Sequence, residues 1–179
     1  EHYRVRPDVT TFAKIIGGGF PVGGFGGRAG VMEQFDPLGP TPLWQSGTFN
    51  GNLITMAAGV AAMEAYTPAE VARINTLGER LRAGLRDAFS DTGIEATVTG
   101  YGSFAGVHLG AKEIRTYRDA AAVDKGLARL LHLALLLEGV YVAPRLMMCT
   151  STAMNEITID DVLKAFGRAL SGIRPALAA

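Results

Sequence analysis

Along the second part of the chain, apolar positions recur at the spacing of amphipathic helices. From Thr67 onward, Val71, Ile74, Leu77, Leu81, Leu85 and Phe89 fall three or four residues apart, which predicts a long helix that stops before Gly93. Thr67-Pro68-Ala69-Glu70 supplies its start: a capping hydroxyl, a proline suited to the first turn, and a glutamate three residues after the cap. Residues 95–99 and 104–109 predict two strands separated by Gly100-Tyr101-Gly102. A second long helix is predicted over residues 119–138, closed by Gly139. Residues 140–143 predict a strand running into Pro144, and residues 147–152 a further one. The last helix is expected from near Thr158, with Asp161 as its cap and Val162, Ala165, Phe166 and Ala169 turned inward.

The first part reads differently. Residues 10–16 (TTFAKII) are β-branched and aromatic and predict a short buried strand that ends at a run of glycines. Residues 17–30 predict a loop broken by Pro21. Residues 50–66 predict a helix with few charges, buried on several sides. A boundary near Thr67 divides the chain into residues 1–66 and 67–179, and the mixture of elements gives an α/β or α+β class.

Composition sharpens this division. Residues 1–63 carry eight charged side chains: Arg4, Arg6, Lys14 and Arg28 against Glu1, Asp8, Glu33 and Asp36. So sparse a charge suggests a segment covered on most sides or meeting another chain. Glycine reaches 23 of 179 residues, roughly twice the usual share, and it concentrates in that same segment. With Ile, Phe and Val interleaved, this is a backbone built for close approach rather than a flexible linker. Lys plus Arg equals Asp plus Glu at 17 each, so there is no cationic footprint for nucleic acid or an anionic membrane. The run from Leu133 to Leu137 is too short to span a bilayer. One cysteine, Cys149, excludes an internal disulfide and fits a reducing, cytoplasmic compartment. The start, Glu1-His2-Tyr3-Arg4, lacks the apolar segment of a secretory signal, and its first residue is not Met, so a fragment or processed product is expected.

Lys14 is the first candidate for chemistry. A lysine at the end of an apolar strand either snorkels to solvent or is a desolvated amine able to form a Schiff base with a carbonyl. The glycine-rich stretch directly after it would let a planar ligand approach the backbone. Ser46-Gly47-Thr48-Phe49-Asn50-Gly51-Asn52 concentrates hydroxyls and backbone N–H groups ahead of a helix; this is either ordinary capping by Thr48 or Asn50, or an anion site for a phosphate. Gly24-Phe25-Gly26-Gly27-Arg28-Ala29 matches G-x-G-x-x-A, but no preceding strand supports a dinucleotide fold. His2, His108 and His132 show no metal-ligand spacing; His108 is expected to be packed or partly exposed, and Cys149 a small core residue. Arg145, after Ala143-Pro144, is either a surface ion-pair partner or a bidentate clamp for a substrate carboxylate.

Residues 7–23, with Lys14 at their centre, closely resemble the cofactor-lysine segment of class III pyridoxal-phosphate aminotransferases. Phe25-Gly26-Gly27-Arg28, Ser46 to Asn52 and Met56-Ala57-Ala58-Gly59 continue that pattern in order. The chain is most similar to the branch holding glutamate-1-semialdehyde aminomutases and β-amino-acid (β-phenylalanine) aminotransferases. Phe35-Asp36-Pro37, Thr48-Phe49-Asn50 and Ala143-Pro144-Arg145 lean toward the latter, whereas Leu146 to Thr150 departs from both.

The resemblance implies the C-terminal portion of a fold-type-I enzyme: the end of the cofactor-binding large domain in residues 1–66 and the small domain in residues 67–179. It implies pyridoxal 5'-phosphate as cofactor, with Lys14 as the Schiff-base and proton-shuttling residue. Thr48, flanked by Gly47 and Phe49, would hold the cofactor phosphate, usually that of the neighbouring subunit of a homodimer. Arg145 would bind substrate. The implied function is amino transfer between an amino acid and a 2-oxo acid; the alternatives are glutamate-1-semialdehyde aminomutation, or a non-catalytic half completing an N-terminal partner chain. The phosphate loop, the ring-stacking aromatic and the acid facing the pyridine nitrogen are expected upstream, so the chain alone is expected to be incomplete.

Overall fold

A computed structural model describes residues 3–177; Glu1 and His2, which bore on the expectations about the chain's start and a metal site, lie outside the described residues. The chain forms two compact units, residues 1–67 and 68–179. Mixed helices and strands in both agree with the expected class.

In the first unit, β1 (Val9–Ala13) pairs antiparallel with β2 (Gly23–Gly27), in the register Val9↔Gly27 through Ala13↔Gly23. The predicted strand therefore ends one residue before Lys14: Lys14–Gly17 is a 3-10 turn, and Gly18 follows it in the left-handed region at φ 58°. Part of the predicted glycine loop is a strand instead. Gly27 lies so close to Asp8 that a Cβ would overlap the Asp8 carbonyl oxygen, so the absence of side chains is what permits pairing there. At that end Arg28 N–H donates to the Asp8 carbonyl at 2.9 Å, and its guanidinium donates to the Asp8 carboxylate at 2.6 Å. The ribbon has only two strands, so β1 is exposed throughout rather than buried as expected.

Helix α1 (Ala29–Met32) and a short 3-10 turn follow, and then helix α2 (Leu53–Ala65). The cap of α2 is Asn52, whose Oδ1 accepts from Thr55 N–H at 3.1 Å, and not Thr48 or Asn50. The helix was expected to be buried on several sides. Instead only Thr55 and Gly59 are buried, while Leu53 is 84% exposed. Its apolar residues lie all round the helix, and within this unit only one stripe of it meets another element.

The second unit is a layer of helices on a three-stranded sheet. Helix α3 (Pro68–Thr92) begins at the predicted proline and buries Ile74, Leu77, Leu81, Leu85 and Phe89, with Val71 half-buried. Strands β3 (Ala96–Thr99), β4 (Phe104–Leu109) and β5 (Met147–Cys149) pair antiparallel in the order β3-β4-β5. Alternation along β4 puts Ala105, Val107 and Leu109 into the core. The predicted helix over residues 119–138 is two helices, α4 (Tyr117–Ala121) and α5 (Lys125–Leu137). Asp124 breaks it, because its carboxylate caps a new start by accepting from Gly126 and Leu127 N–H; Thr116 and Asp119 form a reciprocal capping box at the first. Residues 140–143 form no strand: Val140 N–H instead closes the end of α5 by donating to the Leu135 carbonyl at 2.8 Å. Helix α6 (Glu156–Leu177) begins earlier than expected, because Asn155 Oδ1 accepts from Thr158 N–H; Asp161 lies inside the helix and pairs with Lys164. Cys149, expected in the core, is exposed. It occupies an edge strand, with Ser103 Oγ 3.5 Å from its sulfur.

Two features fix this unit. Arg82 is buried on α3; its guanidinium donates to the carbonyls of Gly102 (2.7 Å) and Phe104 (2.6 Å) and to the Glu79 carboxylate (2.7 Å). It thereby ties α3 to the β3–β4 turn and to the first residue of β4. The other is Leu146, fully buried at 0% exposure and yet in the left-handed region at φ 56°. That conformation costs about 1–2 kcal/mol for a residue with a Cβ, whereas burying a leucine contributes about 1.5–3 kcal/mol. Burial offsets the strain.

Arg82→Met retains the stem but leaves two carbonyls without their donor. We expect a loss of about 2–4 kcal/mol in denaturant unfolding monitored on the β3–β4 region; an unchanged midpoint would contradict this role. His108 on β4 shares a 2.9 Å hydrogen bond with Thr99 Oγ1, and burial holds its imidazole below the usual histidine range. Its unfolded form therefore binds a proton at higher pH than its folded form. Stability should be flat above the ordinary histidine value of about 6.5 and fall as pH drops below it, until the lowered folded value is reached. His108→Asn should flatten that part of the pH–stability curve, as thermal melts across the range would show.

Candidate functional site

Lys14 follows β1 directly. It has a non-glycine left-handed conformation, φ 56°, and its amine makes no ion pair or hydrogen bond among the described residues. It is the only lysine before residue 112. What holds it is backbone contact. Gly18 and Gly59 face the other element so closely that a Cβ on Gly18 would overlap the Ala58 carbonyl, and one on Gly59 the Ile16 carbonyl. The 3-10 turn that begins at Lys14 is thus seated on α2 with no side chain between them. Beside Lys14 opens a cleft of about 700 Å³ lined by Ala13, Ile15, Gly19, Phe20, Pro21 and Val22. Lys14 is exposed rather than desolvated, and an unpaired amine beside a cleft that includes Gly19 and Phe20 suits a planar carbonyl compound.

Ser46 to Asn52 form two consecutive turns. Asn50 N–H donates to the Gly47 carbonyl at 2.9 Å, and Asn52 N–H to the Phe49 carbonyl at 3.1 Å. Asn50 Nδ2 also donates to Gln45 Oε1 at 3.0 Å and so brackets the turn from outside. Thr48 sits exposed at the crest and its hydroxyl makes no hydrogen bond among the described residues. The crest immediately precedes the N-terminus of α2, whose cap uses only one of the first-turn N–H groups, so the local potential favours an anion. Phe49 and Asn50 line a larger groove of about 1110 Å³ with Phe25, Phe35, Trp44 and Met56. Lys14 and Phe49 therefore belong to different concavities of this unit, which meet at Pro21 and Val22.

Arg145 lies in the second unit, at the corner of a turn closed by Leu146 N–H donating to the Ala143 carbonyl at 2.7 Å. Its guanidinium is exposed and has no carboxylate partner among the described residues; its one hydrogen-bond partner there is Met147 Sδ at 3.8 Å. A planar cation held out without an anion is equipped to take a carboxylate in two hydrogen bonds. The capping role of Asn52 and the buried αL leucine beside Arg145 were not read from the sequence. Asn52, a capping residue type directly before the apolar run that opens at Leu53, was the available sign of the first; the second leaves none, because leucine is not a residue expected in that conformation.

Residues 1–168 match the family described as aminotransferase class-III. The chain is 41% identical over 169 residues to the β-phenylalanine transaminase of Variovorax paradoxus, covering 94% of this chain and 39% of that protein. It is 38% identical over 176 residues to the glutamate-1-semialdehyde 2,1-aminomutase of Methanothermobacter thermautotrophicus, covering 97% and 41% respectively. Among solved structures, the β-phenylalanine aminotransferase of Variovorax paradoxus superimposes with a TM-score of 0.90 at 40% identity, over 98% of this chain and 41% of that one. The chain thus spans about two fifths of the length of these relatives, and it belongs to the class-III aminotransferase family.

Proposed function

We propose that this chain is the C-terminal portion of a pyridoxal-phosphate enzyme that transfers an amino group between an amino acid, a β-amino acid by its similarity to a β-phenylalanine transaminase, and a 2-oxo acid. The observation that carries the proposal is Lys14, an unpaired amine fixed by backbone packing at a cleft. Residues 1–66 would be the end of the cofactor-binding domain and residues 67–179 the small domain. Bound pyridoxal phosphate supplies the electron sink for the bond beside the amino group.

The residues present fit such a group. Lys14 Nζ has no competing carboxylate and would hold the cofactor's aldehyde carbon; once released, it would take and return the proton at the carbon that carries the amino group. Thr48 Oγ1 and the backbone N–H groups around Gly47 and Phe49 would receive the phosphate. The crest they form is exposed, which suits a phosphate supplied by a second subunit, and the sparse charge of the first unit suits a homodimer. Arg145 would hold the substrate carboxylate and so select and orient it. We assign the enzyme to the cytoplasm, since the one cysteine of this chain suits a reducing compartment; no described helix is long and apolar enough to cross a membrane.

The similarity to an aminomutase supports a second reading, an internal amino shift on glutamate-1-semialdehyde. It differs in one measurable respect. A transaminase loaded with the amino form of its cofactor needs a 2-oxo acid to return to the aldehyde form, whereas the aminomutase turns over without one. We expect turnover to depend on the oxo acid; turnover in its absence would select the second reading.

The enzyme completed by the upstream segment its relatives possess should, after incubation with pyridoxal phosphate and borohydride, carry the pyridoxyl label on Lys14 in peptide maps. Lys14→Ala should abolish that label and lower amino transfer by at least about a thousandfold. Labels scattered over Lys112, Lys125 and Lys164 would remove Lys14 from this role.

A further inference from the structure

We infer that Leu146 is a positioning residue for Arg145, setting where the guanidinium stands by holding the chain in a conformation that ordinarily calls for glycine. The inference rests on the reading of Arg145 as the substrate-carboxylate residue.

Ala143-Pro144-Arg145-Leu146 is a four-residue turn closed by the Leu146 N–H to Ala143 carbonyl bond at 2.7 Å. Pro144 stands second and Arg145 third, and neither has positive φ; Leu146 then turns left-handed at φ 56°. A tight turn followed by one left-handed residue is the arrangement that leads into a strand through a bulge, and glycine is its usual occupant. From there the chain enters β5 at once: the Leu146 carbonyl accepts from Val107 N–H at 3.2 Å, and Met147 pairs with Gly106.

Leucine stands here because its side chain is anchored. It is completely buried, in one core cluster with Leu131, Leu135, Val142 and Phe166. Leu146 thus has three attachments: the turn bond before it, the ladder bond after it and the core beneath it. The Arg145 side chain has no such anchor: it is exposed, and its one hydrogen bond among the described residues is to Met147 Sδ. Its direction is therefore inherited from the residue that follows. Were Leu146 to relax to negative φ, the peptide joining it to Arg145 would rotate and the guanidinium would leave its place, although Arg145 itself is unchanged.

The test compares two amine donors in the completed enzyme, a carboxylate-bearing one (3-amino-3-phenylpropanoate) and the same amine without the carboxylate (1-phenylethylamine). The ratio of their kcat/KM values reports carboxylate recognition, and a general loss of folded protein does not move it. Leu146→Ala removes the anchor and should lower the ratio at least tenfold, through KM for the carboxylate donor. Leu146→Met keeps the buried bulk and should keep the ratio within about twofold of the parent. The affinity for 3-phenylpropanoate, measured by calorimetry without turnover, should follow the same order. Arg145→Gln is the reference. If it collapses the ratio while Leu146→Ala leaves it intact, Leu146 is only a core residue and the inference is overturned. If Arg145→Gln leaves the ratio intact, the reading of Arg145 fails first and takes this inference with it.

Discussion

Two backbones touching without an intervening side chain determine the first unit. The turn that opens at Lys14 lies against α2 because Gly18 and Gly59 each leave room for a carbonyl of the other element. Any Cβ at either position would part them, and the lysine would move with the turn. The glycine excess of this segment therefore places a particular amine. Lys14 itself accepts a left-handed conformation that a lysine does not favour, and the contact beneath it limits the alternatives.

The second unit uses side chains for the same purpose. Arg82 reaches from α3 to the end of the β3–β4 turn and donates to the carbonyls of Gly102 and Phe104. Arg73 donates to the carbonyls of Thr152 and Met154 ahead of α6, and Arg80 holds Asp160 through two hydrogen bonds. The planar forks of arginine suit these paired acceptors. The leucine and phenylalanine core is non-directional; these donors fix how α3 meets the sheet and α6.

Much of this was legible in the sequence where one local rule decided the outcome. Helix α3 has a three-to-four residue apolar period and a start signal, and it forms where both indicate; β4 matches its predicted span because alternation and flanking glycines agree. Legibility failed where a tertiary partner competed with local preference. The glycines of β2 read as a loop because their pairing depends on Asp8, far back in the chain. Residues 140–143 read as a strand by composition, but their first N–H closes α5. Cys149 read as core by residue type, yet edge position put it outside. The candidate site divides in the same way: Lys14 and Arg145 stand out as charges in apolar or constrained surroundings, whereas Leu146 carries no sign of its backbone state.

The β1–β2 ribbon has one further consequence. Four of the five residues of β2 are glycine, so side chains along the ribbon say little about which residue should face which, and a glycine-rich strand specifies its pairing weakly. The information is concentrated at one end, in the tight fit of Gly27 on Asp8 and the two Arg28 bonds to Asp8. A slip of a single residue there would be transmitted without loss along five pairs and would present the chain at Ala13 with its opposite face. The ribbon thus acts as a ruler: alignment is read at Asp8, and Lys14 receives the result at the far end.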